Sequence, residues 1–217
     1  MNRLKLTNVG FTWPGADTPL FAGVSATLST GQLIALYGAN GSGKSTLARL
    51  AAGLLTPTEG KVEHSGHDGW NRVALVMQEP SAQLLCGTVA EEIAWGLENL
   101  NLPTAEIVRR VEDALKRFGL ENLRDVPPEQ LSDGQRQQTA IASVMVMQPE
   151  FIIFDEATAF LDPFWRKQLW ANAIAAKKTC GVLWVTARPD EAEKCDLIWL
   201  VEDRTVKTSW RGDFSRP

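Results

Sequence analysis

Cysteine, histidine and tyrosine are scarce in this chain: its 217 residues include three cysteines, two histidines and one tyrosine. The cysteines, Cys86, Cys180 and Cys195, are odd in number and far apart, which excludes a disulfide framework and a CxxC metal or redox site. We therefore expect three unreactive thiols in the core. The sequence also lacks any apolar run near the roughly 18–20 residues that a membrane helix needs, and its N-terminus lacks the apolar stretch of a secretory signal. We expect a cytoplasmic protein.

An excess of basic charge is missing as well. Lys and Arg number 22 against 26 Asp and Glu, which gives a formal net charge of −4. Binding to nucleic acid requires a clustered basic surface, so this balance argues against a nucleic-acid partner. What the chain does have is an ordinary globular composition, with 44% hydrophobic and 22% charged residues, and enough length to bury roughly 70% of its unfolded surface.

Strands and helices alternate in the two ends of the sequence, and a helix-rich stretch separates them. The first 37 residues have strand patterns with turn signals between them. The later predicted strands are 73–77, 151–154, 182–186 and 197–201. The predicted helices are 44–54, 88–99, 104–118, 134–147, 163–176 and 189–194.

This order predicts an α/β fold with a mainly parallel sheet covered on both faces. We expect a single domain over residues 1–217. Its core comprises residues 1–79 and 149–217, and residues 80–148 form a helical insertion.

The strongest motif lies between the apolar strand that ends at Tyr37 and the next predicted helix. It reads Gly38-Ala39-Asn40-Gly41-Ser42-Gly43-Lys44-Ser45-Thr46 and fits the pattern GxxxxGK[ST]. Small residues let successive backbone N–H groups surround phosphate oxygens, and the helix N-terminus adds positive partial charge. Lys44 is expected to reach the β- and γ-phosphates and the Ser45 hydroxyl to bind Mg²⁺. The sequence thus predicts a P-loop nucleotide site, named here the phosphate loop (residues 38–46).

An acidic pair follows the apolar strand Phe151–Phe154. Asp155 stands at the carboxyl end of this strand, where ligands bind in open α/β sheets. We expect Asp155 to hold Mg²⁺ through its water shell. Glu156, next in the chain and pointing elsewhere, is expected to orient and polarise an attacking water.

A second motif stands about twenty residues before the acidic pair, at a predicted helix start. The segment Leu131-Ser132-Asp133-Gly134-Gln135 resembles the LSGGQ signature of the ATP-binding cassette (ABC) ATPases, and the resemblance covers about residues 3–208. It implies a P-loop (RecA-like) core with an N-terminal antiparallel β subdomain and a helical insertion. It also implies ATP as the nucleotide, held between two subunits. Ser132, Gly134 and Gln135 of one subunit then face the γ-phosphate held by the other.

Three further segments resemble parts of the same family. Gln78, in Val76–Pro80, matches the glutamine loop, whose Gln contacts Mg²⁺ or the attacking water. Residues 159–163 match the D-loop, which links the two sites of the dimer. Trp13 stands where the family has an aromatic ring that stacks on adenine; without the family context, a core aromatic in a hairpin is an equal interpretation.

Within the superfamily the chain is similar to the energy-coupling-factor group, which drives import of vitamins and of cobalt or nickel ions. The similarity rests on the stretch 78–85 with its second Gln, on the pattern of 88–99, and on the DEATxxLDP run of 155–163. These features separate subfamilies rather than functions.

Two departures from the family pattern concern catalysis. Position 187, where the resemblance implies a histidine that contacts the γ-phosphate, is Ala187, and Arg188 follows it. Losing one preorganised polar group of this kind costs roughly 10²–10³ in rate. In the signature, Asp133 replaces a glycine, and its carboxylate is unfavourable near phosphate unless it turns to solvent. We therefore expect the chain to bind ATP and to hydrolyse it slowly in its own site.

The resemblance implies the ATPase subunit of a membrane importer, peripheral at the cytoplasmic face of the cell membrane. Its partners would be a second ABC ATPase subunit, alike or different, and integral membrane coupling and substrate-binding subunits, which contact a groove near Gln78–Gly96. The alternatives are a soluble, non-transport member of the superfamily, a P-loop kinase, and a non-hydrolysing regulatory ATP-binding partner.

Two polar stretches carry no predicted chemistry. His64 and His67 lie in a segment interpreted as a solvated hairpin tip, without further metal ligands in register. Residues 191–194 are interpreted as a solvated helix face.

Overall fold

The structure is a computed structural model that describes residues 1–65, 72–159 and 161–210. The chain forms two compact units. The first is made of Met1–Leu75, Glu150–Glu156 and the chain from Ala173 onward, and the second of Val76–Pro149 and Ala157–Asn172. The insertion expected over 80–148 lies within the second unit, which also includes most of a helix expected in the core.

The first unit begins with a three-stranded antiparallel sheet. Its strands are β1 (Arg3–Phe11), β2 (Phe21–Ser29) and β4 (Glu59–Ser65), in the order β2-β1-β4. Leu4 of β1 lies opposite Leu28 of β2 and His64 of β4. Strand β4 was not predicted, because its sequence EGKVEHS lacks apolar alternation. It is defined by pairing with β1, and the turn expected at His64 is therefore wrong.

The second sheet of this unit has six strands and determines the position of the site. They are β3 (Leu33–Tyr37), β5 (Val73–Val76), β6 (Phe151–Asp155), β7 (Gly181–Thr186), β8 (Leu197–Glu202) and β9 (Thr205–Trp210), in the order β5-β6-β7-β3-β8-β9. Strands β6, β7, β3 and β8 are parallel, and β9 is antiparallel. Tyr37 pairs with Thr186, and Asp155 pairs with Val185. Because β3 and β6 flank β7, the residues that follow them meet at one edge of the sheet.

The central strands β3, β6 and β7 are buried along their whole length. Burial on both faces explains their continuous apolar sequences. The expected α/β class, with a mainly parallel sheet and an N-terminal antiparallel sheet, is confirmed.

The described residues contain six α-helices. They are α1 (Lys44–Ala51), α2 (Val89–Asn99), α3 (Thr104–Phe118), α4 (Asp133–Met145), α5 (Pro163–Lys177) and α6 (Pro189–Ala192). Helix α2 begins after Thr88, whose Oγ1 accepts from the Glu91 amide, and α3 ends at Gly119, which has a φ of 66°. Over the described residues, none of the helices combines the length and apolar character needed to cross a membrane.

Helix α5 is bound to α4 inside the second unit by two contacts. The ring of Trp165 lies against Gly134, and Asn172 Nδ2 donates to Gln138 Oε1 at 3.4 Å. These contacts explain why residues 157–172 group with the helical insertion rather than with the core.

Candidate functional site

The phosphate loop connects the end of β3 to the start of α1, as expected. Gly41 and Gly43 have φ values of 80° and 95°, a region that side chains with a Cβ adopt at a cost. At Gly38 a Cβ would lie 2.9 Å from both Ser42 Oγ and the carbonyl oxygen of Val201. The glycines at these positions therefore allow a tight loop. This loop ends at the N-terminus of α1, where backbone N–H groups can bind an anion.

The two charged groups of the loop region face each other. Lys44 is only 4% exposed, and its Nζ donates to the carbonyl oxygen of Ala39 at 3.0 Å. The same Nζ lies 3.3 Å from Glu156 Oε1. A buried ammonium inside a loop of small residues is a strong attractor for an anion, because little water screens its charge.

Asp155 contacts the phosphate loop at Ser45, whereas Glu156 contacts it at Lys44. Ser45 Oγ donates to Asp155 Oδ1 at 2.9 Å, although the two residues are 110 positions apart in the chain. Burial raises the pKa of Asp155, and the hydrogen bond from Ser45 opposes that shift. A hydroxyl and a carboxylate in contact are oxygen ligands of the kind that Mg²⁺ prefers.

Glu156 adopts an unusual backbone conformation. Its φ is 47°, in the left-handed region that non-glycine residues seldom occupy, and its amide donates to the carbonyl oxygen of Val185 at 3.1 Å. This conformation lets two consecutive carboxylates reach different partners, Asp155 toward Ser45 and Glu156 toward Lys44.

An open cavity of about 400 Å³ lies over the loop. Its lining residues are Trp13, Leu20, Asn40, Gly41, Gly43, Lys44, Ser45, Thr46 and Glu156. Trp13 is 41% exposed, and its ring packs edge-on against Phe11, with centroids 4.9 Å apart. An exposed aromatic face thus shares one cavity with the phosphate loop.

Ser42 provides a test of whether the loop fits a phosphate. Its Oγ is buried, and within the described parts of the chain it has no hydrogen-bond partner. A buried hydroxyl is ordinarily satisfied, and an anion held by the loop would satisfy this one. Together with the buried Lys44 and the Ser45–Asp155 contact, it shows that the residues present fit a nucleotide phosphate with Mg²⁺.

The signature segment (residues 131–135) lies in the second unit, whereas the phosphate loop lies in the first. Ser132 is the N-cap of α4: its Oγ accepts from the Gln135 amide at 3.3 Å, and Gln135 Oε1 accepts from the Ser132 amide at 2.9 Å. Asp133 is largely exposed and pairs with Arg136 at 2.9 Å. The carboxylate that replaces a glycine is therefore offset by a cation on the next turn.

Gln78 also lies in the second unit. It lines a cavity of about 350 Å³ together with Asp133, Arg136 and Gln137. Gln83, the second Gln of this stretch, accepts the Met77 amide at 3.2 Å through its Oε1 and so supports the backbone beside Gln78.

Sequence reasoning did not identify the role of Glu92. This carboxylate is buried, and its Oε2 accepts the amides of Leu85 and Cys86, each at 2.8 Å. The sequence did contain a signal for this role, because Glu92 lies on the same face of α2 as the apolar residues Val89 and Ile93. Glu92 stabilises the loop that leads from Gln78 into α2.

The residues that follow β7 form a charged cluster that is partly buried, whereas a solvated helix face was expected at 191–194. Arg188 is held by Asp190, with Nη2 3.1 Å from Oδ2, and by Glu191, with Nε 3.5 Å from Oε1. Glu191 is only 1% exposed and accepts from Trp184 Nε1 at 3.0 Å and Thr186 Oγ1 at 2.8 Å. The interpretation of 191–194 as a solvated face is therefore wrong for Glu191, because a carboxylate with two hydrogen-bond donors and a guanidinium beside it is stable when buried.

His64 lies in β4 with Nε2 3.3 Å from the Ala51 carbonyl oxygen, and His67 lies outside the described residues. Residues 1–65, 72–159 and 161–210 contain no group of three or more His, Cys, Asp and Glu able to hold a metal ion. Phe160 of the D-loop also lies outside the described residues.

Comparisons with known proteins show the family of this chain. The sequence profile of the family described as ABC transporter matches residues 21–159. The energy-coupling factor transporter ATP-binding protein EcfA of Syntrophomonas wolfei is 37% identical over 219 residues, which cover 94% of this chain and 79% of that protein. The cobalt import ATP-binding protein CbiO of Syntrophus aciditrophicus is 36% identical over 230 residues, covering 98% and 82%.

A solved structure is similar to this chain as well. CbiO1 from Clostridium perfringens, described as part of the ABC transporter complex CbiONQ, superposes with a TM-score of 0.84 at 29% identity, covering 97% of this chain and 89% of that chain.

Proposed function

The chain belongs to the ABC transporter family of ATPases, in the group of energy-coupling factor and cobalt import ATP-binding proteins, and we propose that it powers import of a vitamin or a transition-metal ion. Family membership makes it an ATPase whose hydrolysis is coupled to transport. The import function is proposed from the similarity to EcfA and CbiO. The observation that supports nucleotide chemistry is the buried Lys44 beside Glu156, together with the hydrogen bond from Ser45 to Asp155.

We propose specific roles for the residues around the phosphate loop. Trp13 stacks on adenine, and residues Gly38 and Asn40–Thr46 hold the phosphates. Ser45 and Asp155 would hold Mg²⁺, which when bound would neutralise phosphate charge. Roles for Gln78, as a further Mg²⁺ ligand and beside the attacking water, rest on the resemblance to the family alone. Lys44 exchanges its contact with Glu156 for phosphate oxygens. Glu156 is then available to orient a water and to accept its proton.

We also propose that the site is completed by a second ABC ATPase subunit. Ser132, Gly134 and Gln135 lie at the N-terminus of α4, where backbone N–H groups favour an anion. They would contact the γ-phosphate held by the partner subunit. Closure of the two cassettes then moves integral membrane coupling and substrate-binding subunits, so the chain is peripheral at the cytoplasmic face of the membrane.

A weakened hydrolytic site is part of the proposal. Ala187 offers no polar group after β7, and Arg188 is held by Asp190 and Glu191. We propose that the chain alone hydrolyses ATP slowly and that a different ATPase subunit supplies the stronger site. A non-hydrolysing regulatory subunit is the second candidate, and the same observation favours it.

Steady-state hydrolysis by the purified chain tests the main proposal. We expect Lys44→Ala to lower ATP binding and hydrolysis at least about 100-fold, because an anion-binding charge is lost. Glu156→Gln should retain ATP binding and lose about 10²–10⁴ in rate. Lys61→Ala, which removes an exposed lysine paired with Glu63, is the matched control. Unchanged ATP binding in Lys44→Ala would contradict the proposal.

The weakened site has its own test. We expect Ala187→His to raise kcat about tenfold or more, because it adds a polar group at the γ-phosphate side. Arg188→Ala should change kcat little, since that guanidinium is already paired. Robust hydrolysis by the unmodified chain, insensitive to both substitutions, would rule out a slow site.

The transport proposal is tested by purification from solubilised membranes. We expect the tagged chain to co-purify with integral membrane proteins and with a second ABC ATPase. Both should remain bound to it during a high-salt wash. Recovery of the chain only in the soluble fraction would favour a non-transport ABC ATPase.

A further inference from the structure

The indole ring of Trp165 occupies the place where a side chain of Gly134 would be. A Cβ built on Gly134 would lie 2.2 Å from Trp165 Nε1, 2.3 Å from Cδ1 and 2.5 Å from Cε2. No side chain fits at such distances, so the five-membered ring lies directly on the backbone of the signature helix. Gly134 is needed at this position to admit the ring.

The position of Trp165 is itself fixed by the start of α5. Its amide donates to Asp162 Oδ1 at 2.9 Å, and the Arg166 amide donates to the Asp162 carbonyl oxygen at 3.0 Å. Phe164 packs edge-on against the indole, with centroids 5.1 Å apart. The ring therefore cannot move away from Gly134 without disturbing the residues that end the D-loop.

A second contact prevents α4 and α5 from sliding. Asn172 donates to Gln138, two turns along α5 and one turn along α4 from the first contact. Two separated contacts fix both the distance and the rotation of one helix relative to the other. The start of α4, with Ser132 as its N-cap, is thus held against the first turn of α5 within the second unit.

We propose that Trp165 is a positioning residue for the signature segment. Its ring holds the first turn of α4 in one orientation, so that Ser132 and Gly134 meet the γ-phosphate of the partner-held ATP at the correct distance. This inference rests on the proposed function and deepens it. A displacement of about 1 Å in a positioned group can cost about 10²-fold in rate, so packing at this point has a measurable effect on catalysis.

The test compares Trp165→Ala, Trp165→Phe and the control Ile174→Ala, which removes an exposed apolar side chain from the same helix. For each purified full-length variant we would measure the Kd of a fluorescent ATP analogue, kcat, KM and the melting temperature. We expect Trp165→Ala to keep Kd and KM within twofold and to lower kcat about tenfold or more. Trp165→Phe keeps an aromatic ring and should return kcat to within about threefold, and Ile174→Ala should match the unmodified chain.

ATP-dependent association in a Glu156→Gln background provides a second readout for a slow enzyme. We expect Trp165→Ala to require about tenfold more protein for the same association. Unchanged kcat and association in Trp165→Ala would overturn the inference while leaving the proposed function intact. Equal losses in Trp165→Ala and Trp165→Phe would overturn it too. If the unmodified chain does not bind ATP, the proposed function fails and the inference fails with it.

Discussion

Adjacent residues acquire different chemistry from their surroundings in this site. Asp155 and Glu156 are the same functional group on neighbouring positions, yet Asp155 accepts from Ser45 and Glu156 lies beside Lys44. The positive φ of Glu156 makes this divergence possible. Under the proposed function, Asp155 binds the cation, and Glu156 accepts a proton only after Lys44 has turned from it to the phosphates.

Cys86 is only half-buried, so the expectation of three core thiols is wrong for this residue, and its thiol allows a residue-level prediction about pH. Burial and the Glu92 carboxylate raise the pKa of its thiol from 9.0 to about 11. Since only the thiolate reacts, alkylation by iodoacetamide at pH 8 should be about 100-fold slower than for an ordinary cysteine, and its rate should rise with pH up to about 11. A Cys86→Ser variant provides the background from the two buried thiols. Rapid modification of Cys86 at pH 7–8 would contradict the shift.

At the scale of elements, strand β4 depends on one glycine. Gly60 has a φ of 72°, and a Cβ there would lie 2.2 Å from the carbonyl oxygen of Asn8. The register of β1 against β4 shifts between Thr7 and Gly10, next to Asn8, which itself has a φ of 48°. The close approach is thus part of an irregularity that lets this edge strand pair with β1.

This geometry predicts a large cost for Gly60→Ala. We expect the free energy of unfolding to fall by about 2 kcal/mol or more, because the methyl group collides with backbone. Gly23→Ala is a matched control: Gly23 has a φ of 67° and nothing within 4 Å of its Cβ position. It should cost only about 1 kcal/mol. Urea unfolding of both variants measures the difference, and equal values would show that the contact does not constrain β4.

On the scale of the whole molecule, the two units hold different halves of the proposed composite site. The first unit packs around an apolar core shared by both sheets, including Leu4, Phe21, Leu36 and Leu183. The second contains the signature and glutamine segments on helices. Under the proposed function, the signature segment of one subunit completes the phosphate loop of another, so the site forms only when two subunits associate.

Nucleotide binding should therefore stabilise the whole chain. Ligand that binds only the folded state at 100 times its Kd adds about 2.7 kcal/mol, so ATP should raise the melting temperature by several degrees. Lys44→Ala should abolish the increase, and Lys61→Ala should preserve it. Differential scanning fluorimetry across an ATP series gives the answer, and an equal increase in both variants would place the nucleotide outside the phosphate loop.

Helix α3 and the phosphate loop could be predicted from the sequence because both depend on residues that are neighbours in the chain. The bounds of α3 agree with the prediction at both ends, since apolar spacing defines its buried face and Gly119 terminates it. The phosphate loop was recognisable because its backbone requires small residues at fixed spacing. Strands β4 and β9 were missed, because their sequences are polar and only their pairing partners define them.

By itself the sequence determined the α/β class, the phosphate loop, the acidic pair and the signature segment, since each depends on local residue type and spacing. Only the tertiary structure decided which groups meet. Ser45 contacts Asp155 across 110 positions, Arg188 is already paired, and Trp165 takes the space of a side chain at Gly134. The physical reason is that backbone preference acts over a few residues, whereas packing, burial and charge pairing act between segments that only the folded chain brings together.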